Sequence, residues 1–286
     1  MDLSNPSPKV GLGLPPADPA TLLDWARRAD AGPLSTLGLL DRLVHDNPEP
    51  LVTLAAIAAV TTRIRVQTEV LLAPLRGTAV LAKQAATLDR LAPGRFTLGV
   101  GIGSREDDYA AAGVDARRRG RLMDEQLDGL RRIWRGESEH PIGPPPATPG
   151  GPEILVGGFA PAAFARMARW GDGFLASAHA PGHVERLFRQ AREAWQAAER
   201  PGTPRLVAQA NAALGPPTTV NEARAAIRHY YAFTGTADRI ANDLLTTPQQ
   251  VRETAAHFHS LGADETIFYC WSPDPSQPDR FAEATL

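Results

Sequence analysis

Residues 81–109 read LAKQAATLDRLAPGRFTLGVGIGSREDDY. In immediate succession they carry a helical pattern, an Ala92-Pro93-Gly94 turn, an apolar strand and a glycine-rich strand end. Strand carboxyl ends are where α/β folds hold their ligands, and glycine at such a place lets backbone approach a ligand closely. The fold therefore turns on whether this helix-turn-strand unit repeats.

It repeats along the whole chain. Short apolar runs at residues 9–14, 34–40, 64–72, 95–100, 154–156, 173–177, 205–213 and 265–269 predict eight strands. Helical patterns at 19–30, 48–62, 78–91, 115–135, 161–170, 181–199, 220–244 and 248–261 fall around them. Eight alternating units in 286 residues predict a single-domain (β/α)₈ TIM barrel spanning residues 1–286. The segment 136–152, with HPIGPPPATPGGP at its centre, predicts an insertion after strand four, either a disordered spacer or a lid over the barrel mouth. A doubly wound dinucleotide fold fits less well. Its glycine fingerprint fails where Ser104 follows Gly99 and Gly101, and again where Pro16 follows Gly11 and Gly13.

Lys plus Arg number 30 against 32 Asp plus Glu, so no global field favours nucleic acid. The run at Arg117 to Arg119 reads as a solvated loop or helix start. No apolar run reaches the ~18 residues of a membrane span, and the N-terminus lacks signal-peptide features, so a soluble cytoplasmic protein is expected. The single cysteine, Cys270, lies in an apolar run and reads as a buried, inert thiol.

In a barrel the residues at strand carboxyl ends are the candidates for chemistry. Asp41 and Arg42 follow strand two, as an internally paired couple or as catalytic groups. Glu69, in the apolar run 66–72, must meet a partner, a ligand or water, which makes it an acid/base candidate. Residues 102–108 follow strand four. Gly157 and Gly158 precede a helix whose N-terminus is suited to a phosphate, although glycine turns are often only turns. Ser177 to His179 follow strand six. Metal binding is not expected: Pro181 and Gly182 interrupt the His179–His183 spacing, and His257 and His259 lie two apart in a helix. No G-x-S-x-G serine elbow occurs.

The run AKQAATLDRLAPGRFTLGVGIG resembles the signature of the bacterial luciferase-like flavin-dependent oxidoreductases. Further segments agree in order: LLDRLV at 39–44, EPLVTLAAIAAVTTRIRVQTEVLLAP at 49–74, RRIW at 131–134, ILVGGFAPAAFARMARWGDGF at 154–174 and TTPQQVRETAAHFHSLGADETIF at 246–268. The resemblance implies a (β/α)₈ barrel whose mouth holds the flavin ring against a bulge at Thr68, Glu69 and Val70, often with a non-proline cis peptide. It implies ring and ribityl contacts near Gly101 and Ile102, and phosphate contacts at Gly157, Gly158 and Ser177.

It also implies a monooxygenase acting on a small organic substrate with reduced FMN from a separate flavin reductase and molecular oxygen. Arg42 would then stabilise developing oxyanion charge, Glu69 would move protons, and Asp41 would assist. The alternative within the family is a hydride-transfer reductase or dehydrogenase using the deazaflavin coenzyme F-420. A barrel that binds a small molecule without catalysis is a second alternative, and a homodimer through helices near strands two to four is expected. Three positions depart from family patterns. Arg42 stands where many members have His, Ile102 matches the luciferase arginine for FMN phosphate, and Ser104 matches the acid of deazaflavin-dependent sugar-phosphate dehydrogenases.

Overall fold

A computed structural model of the protein describes residues 8–177 and 181–285. Its strands are β1 (Lys9–Gly13), β2 (Thr36–Leu39), β3 (Arg65–Thr68), β4 (Leu71–Leu72), β5 (Phe96–Gly101), β6 (Glu153–Gly157), β7 (Gly173–Ala176), β8 (Arg205–Ala212) and β9 (Glu265–Cys270). Every pairing between them is parallel, and β1 closes on β9 while β3 and β4 both pair with β5. β3 and β4 are one wall interrupted at residues 69–70, so the sheet is the expected closed eight-walled barrel with a split third wall.

The helices α1 (Pro19–Ala31), α2 (Pro50–Ala59), α3 (Thr78–Leu91), α4 (Glu106–Ala111), α5 (Arg119–Trp134), α6 (Pro161–Trp170), α7 (Pro181–Ala197), α8 (Pro217–Tyr230), α9 (Ala237–Asn242), α10 (Pro248–Ser260) and α11 (Gln277–Ala284) surround it. Several open with proline at the first turn, where its missing N–H costs nothing and its φ is already helical. α10 adds a reciprocal cap in which Thr247 accepts from the Gln250 amide and Gln250 from the Thr247 amide, a contribution of about 1 kcal/mol. The helix expected at 220–244 breaks at Gly235, whose φ of 69° is left-handed, and so becomes α8 and α9. The short helices α4 and α11 were not foreseen.

Two layers of burial hold the barrel. Between strands and helices lie fully buried rings, among them Trp25, Phe96, Phe174, Phe188, Phe258, Phe268 and Phe281. α8 and α9 form a cap with a separate apolar cluster, where Val220, Ile227 and Leu244 pack with Leu40, Tyr269 and Trp271 from the strand ends.

The Pro/Gly-rich segment 136–152 joins the end of α5 to the start of β6, so it lies at the strand amino ends. Asp89 accepts from the Thr148 amide (2.7 Å) and hydroxyl (2.9 Å), and Lys83 donates to the Gly143 carbonyl (2.7 Å). These bonds fasten it to the flank of α3, on the far side of the barrel from the mouth. The mouth is roofed instead by α4 and by the α8–α9 cap.

Candidate active site

The third wall is where the site is built. The peptide between Glu69 and Val70 is cis, at the position the family resemblance indicates. The glycines of β5 and the loop after it are what allow this interruption. A Cβ on Gly99 would lie 2.1 Å from the Thr68 carbonyl oxygen, one on Gly101 2.6 Å from Val70 Cγ2, and one on Gly103 2.9 Å from Leu72 Cδ2. The alternate glycines of GVGIG therefore face the alternate residues Thr68, Val70 and Leu72. Packing of the bulge alone accounts for Gly101, with no ligand required.

Glu69 points inward to the barrel axis. Its carboxylate accepts from Gln67 Nε2 (2.5 Å), two residues back on the same face, and from Gln209 Nε2 on β8, the wall directly opposite. Room for it comes from Gly38 on β2, where a Cβ would lie 2.4 Å from Glu69 Cγ. Burial pushes its pKa up to about 8, against the pull of the two amides and the weaker pull of Arg205. A carboxyl that holds a proton near neutral pH is suited to giving and taking one. Beside this cluster Leu155, Leu175, Val207, Ile267 and Val70 line the interior with apolar surface.

Asp41 and Arg42 are both buried but not paired with each other. Asp41 accepts from the Leu72 amide (2.7 Å) and from both Arg76 Nη atoms (2.6 and 3.1 Å), which ties the end of β2 to β4. Arg42 donates Nε to Asp108 on α4, lies 5.6 Å from the Tyr230 ring centroid, and donates to the Val44 carbonyl (3.2 Å). Asp108 also accepts from the amides of Leu43 and Val44 (2.9 and 2.8 Å). Both residues brace the loops around the mouth.

On the other side of the mouth, β6 ends in Gly157 and Gly158. Gly158 has φ 146°, and a Cβ there would lie 2.9 Å from Ala163 Cβ in the first turn of α6. Leu175 on β7 is the register partner of Gly157, which puts Ser177 beside the pair. The Ser177 hydroxyl is buried and makes no hydrogen bond. An unsatisfied hydroxyl next to a helix N-terminus and two bare glycines fits the phosphate of a flavin-type cofactor. Ile102 packs against the main core and its carbonyl accepts from the Tyr109 hydroxyl. His179 lies outside the described residues.

Cys270 is buried, its thiol directed at the Ser272 carbonyl (3.4 Å), and burial pushes its pKa up to about 12, in keeping with an inert thiol. Among the described residues no group of three or more His, Cys, Asp or Glu side chains is arranged to hold a metal ion, and no helix is long and apolar enough to cross a membrane. Sequence reasoning missed the partners of Glu69. Gln67 was legible as a second polar residue on the same strand face, and Gln209 as one of two amides, with Asn211, in the otherwise apolar run LVAQANA.

The profile of a family described as luciferase-like monooxygenase matches residues 4–265. Among curated relatives, an uncharacterised protein of Mycobacterium tuberculosis is 32% identical over 171 residues, covering 56% of this chain and 60% of the relative. A coenzyme F-420-dependent glucose-6-phosphate dehydrogenase of Kribbella flavida is 31% identical over 180 residues, covering 56% of this chain and 53% of the relative. The matches thus span little more than half the length of either. Among the solved structures that share the fold are two with a bound cofactor. One is a coenzyme F-420-dependent secondary alcohol dehydrogenase with an F-420–acetone adduct, at TM-score 0.78, 18% identity and coverage of 97% and 98%. The other is the oxygenating constituent of the Pseudomonas putida 3,6-diketocamphane monooxygenase with FMN, at TM-score 0.75, 18% identity and coverage of 98% and 96%.

Proposed function

The chain belongs to the luciferase-like monooxygenase family, and from that premise we propose that it is a two-electron oxidoreductase that reduces or oxidises a small organic substrate with the deazaflavin coenzyme F-420. The observation that carries this reading is Glu69, a carboxyl on the barrel axis at the mouth, with its pKa pushed up to about 8. A carbonyl–alcohol couple exchanges one proton at oxygen for each electron pair, and a carboxyl titrating near neutrality serves that exchange.

The cofactor, when bound, supplies the two-electron chemistry. Thr68 to Val70 would bear the ring, and Gly157, Gly158 and Ser177 would take a phosphate. Asp41 and Arg42 act by bracing the mouth, since their charges are engaged by Arg76 and by Asp108. The match to the Kribbella flavida enzyme supports the cofactor class, but Ser104 replaces the family acid for sugar phosphates, so its substrate is not carried over.

A second reading, a monooxygenase using reduced FMN from a separate flavin reductase and molecular oxygen, draws on the same phosphate cradle, because FMN ends in a phosphate. A homodimer accords with Val52 on α2 and Val80 on α3, which are 67% and 61% exposed.

Titration of the purified protein with FMN and the deazaflavin, each oxidised and reduced, is the test. Tight binding of the deazaflavin and anaerobic turnover with its reduced form are expected. A strict oxygen requirement with FMN would select the second reading, and binding of neither cofactor would remove both. Any turnover by the wild type disposes of a binding-only barrel.

A further inference from the structure

Tyr269 and Glu69 converge on a notch in the barrel wall that two glycines make. Gly13 on β1 is the register partner of Tyr269 on β9, and a Cβ at Gly13 would lie 2.5 Å from Tyr269 Cδ2. The ring therefore leans across β1. Gly13 is also the register partner of Gly38 on β2, over which the Glu69 side chain leans from β3. Two adjacent strands thus present no side chain at the same level, and the gap is filled from one side by a phenol and from the other by a carboxyl.

The Tyr269 hydroxyl is buried, is approached by the Leu40 backbone, and has no side-chain hydrogen-bond partner. A backbone N–H that approaches the phenol oxygen leaves the phenol proton unclaimed by any side chain, and at a candidate active site that proton is open to an acceptor that arrives with the ligand. Burial first, and the nearby Glu69 charge second, hold the phenol's pKa well above the ordinary tyrosine value. The group therefore carries a proton throughout the working range.

We propose that Tyr269 is a catalytic residue whose hydroxyl hydrogen-bonds the substrate oxygen and exchanges a proton with it, with Glu69 resupplying that proton from behind. This rests on the oxidoreductase reading above. In the reducing direction the carbonyl carbon gains a C–H bond with an electron pair drawn from the reduced cofactor, and the C=O π pair moves to oxygen. That oxygen takes the phenol proton, the phenolate oxygen takes the Glu69 proton, and the carboxylate is reprotonated from solvent. The oxidising direction runs each transfer in reverse. Gln67 and Gln209 are positioning residues, since they hold the carboxyl that Tyr269 faces.

The test uses protein labelled with ¹³C at tyrosine Cζ, with the Tyr269 resonance assigned by its loss in Tyr269→Phe. In cofactor-free wild type that resonance is expected to shift with a midpoint near pH 8, as Glu69 ionises, and to stay flat over the same range in Glu69→Gln. With cofactor and substrate, Tyr269→Phe should lower kcat about 100-fold with KM changed less than about threefold, while its cofactor affinity matches wild type. A flat wild-type resonance, a midpoint that persists in Glu69→Gln, or full kcat in Tyr269→Phe would each overturn the proposal while the oxidoreductase reading stands. Wild type that binds neither cofactor takes away the reaction, and this proposal with it.

Discussion

Inside the strand wall a polar cluster stands at each end of the barrel, and these two handle charge in opposite ways. At the strand amino ends, Arg205 bridges Glu153 and Glu265, while Arg65 reaches Glu153 (3.0 Å) and the Thr97 hydroxyl (2.7 Å). Two guanidinium groups meet two carboxylates, and Thr97 in turn donates to Glu153 (2.7 Å). At the strand carboxyl ends, Glu69 has only the neutral amides of Gln67 and Gln209. A compensated cluster closes the bottom of a barrel; an uncompensated one leaves a group whose proton is free to move. The same residue type is structural at one end and chemical at the other because of what stands opposite it.

The largest effect that would break this contrast is at the bottom. Arg205→Met removes the cation shared by Glu153 and Glu265 and leaves Glu265, whose side chain is 1% exposed, with its charge uncompensated. Breaking a buried pair costs ~3–5 kcal/mol, and partial exposure of Arg205 and Glu153 reduces this to about 2–4 kcal/mol. Urea unfolding at neutral pH measures it. Glu69→Gln, which puts a neutral isostere where the folded chain retains a proton, should be no less stable than wild type in the same experiment. Equal losses at the two sites would dissolve the distinction.

An effect smaller at each pH unit appears as a slope. Because the folded-state pKa of Glu69 is raised, native protein keeps a proton that the unfolded chain has already released. Its contribution to stability is fully present below the unfolded value near 4.5 and is lost as pH rises through about 8. Within that window wild type should lose stability relative to Glu69→Gln by up to about 1.4 kcal/mol per pH unit. Unfolding free energies of both proteins at intervals from pH 5 to 9 give the difference directly. Parallel curves would mean that Glu69 is already ionised in the folded protein.

The order of strands and helices was legible because each unit carries its own punctuation, such as Ala92-Pro93-Gly94 before β5 and proline at successive helix starts. The short helices α4 and α11 carry too few turns to give a period, and left no such mark. The site was legible only in part. Asp41 and Arg42 are neighbours in sequence, but successive side chains of an extended segment point apart, so each finds a different partner. The glycines after strand four announced close packing without saying against what. Barrel geometry answers that: Thr68, Val70 and Leu72 fill the space. Gln209 and Tyr269 lie far from Glu69 along the chain, and only closure of β1 on β9 and the facing of β3 by β8 bring the three together.

The smallest effect separates the two ends by a single hydroxyl. Thr97 Oγ1 is saturated, accepting from Arg65 and donating to Glu153, whereas Ser177 Oγ is buried and bonded to nothing. Ser177→Ala therefore removes no hydrogen bond of the free protein, and its unfolding midpoint should match wild type. If that hydroxyl meets the cofactor phosphate beside Gly157 and Gly158, its loss removes one hydrogen bond to a charged group, ~1.5 kcal/mol, or roughly tenfold in Kd. Fluorescence titration of the variant with a phosphate-bearing cofactor and with its dephosphorylated counterpart reads this out. The tenfold loss should appear with the first and vanish with the second, and an equal loss with both would place Ser177 against the ring or ribityl chain instead of the phosphate.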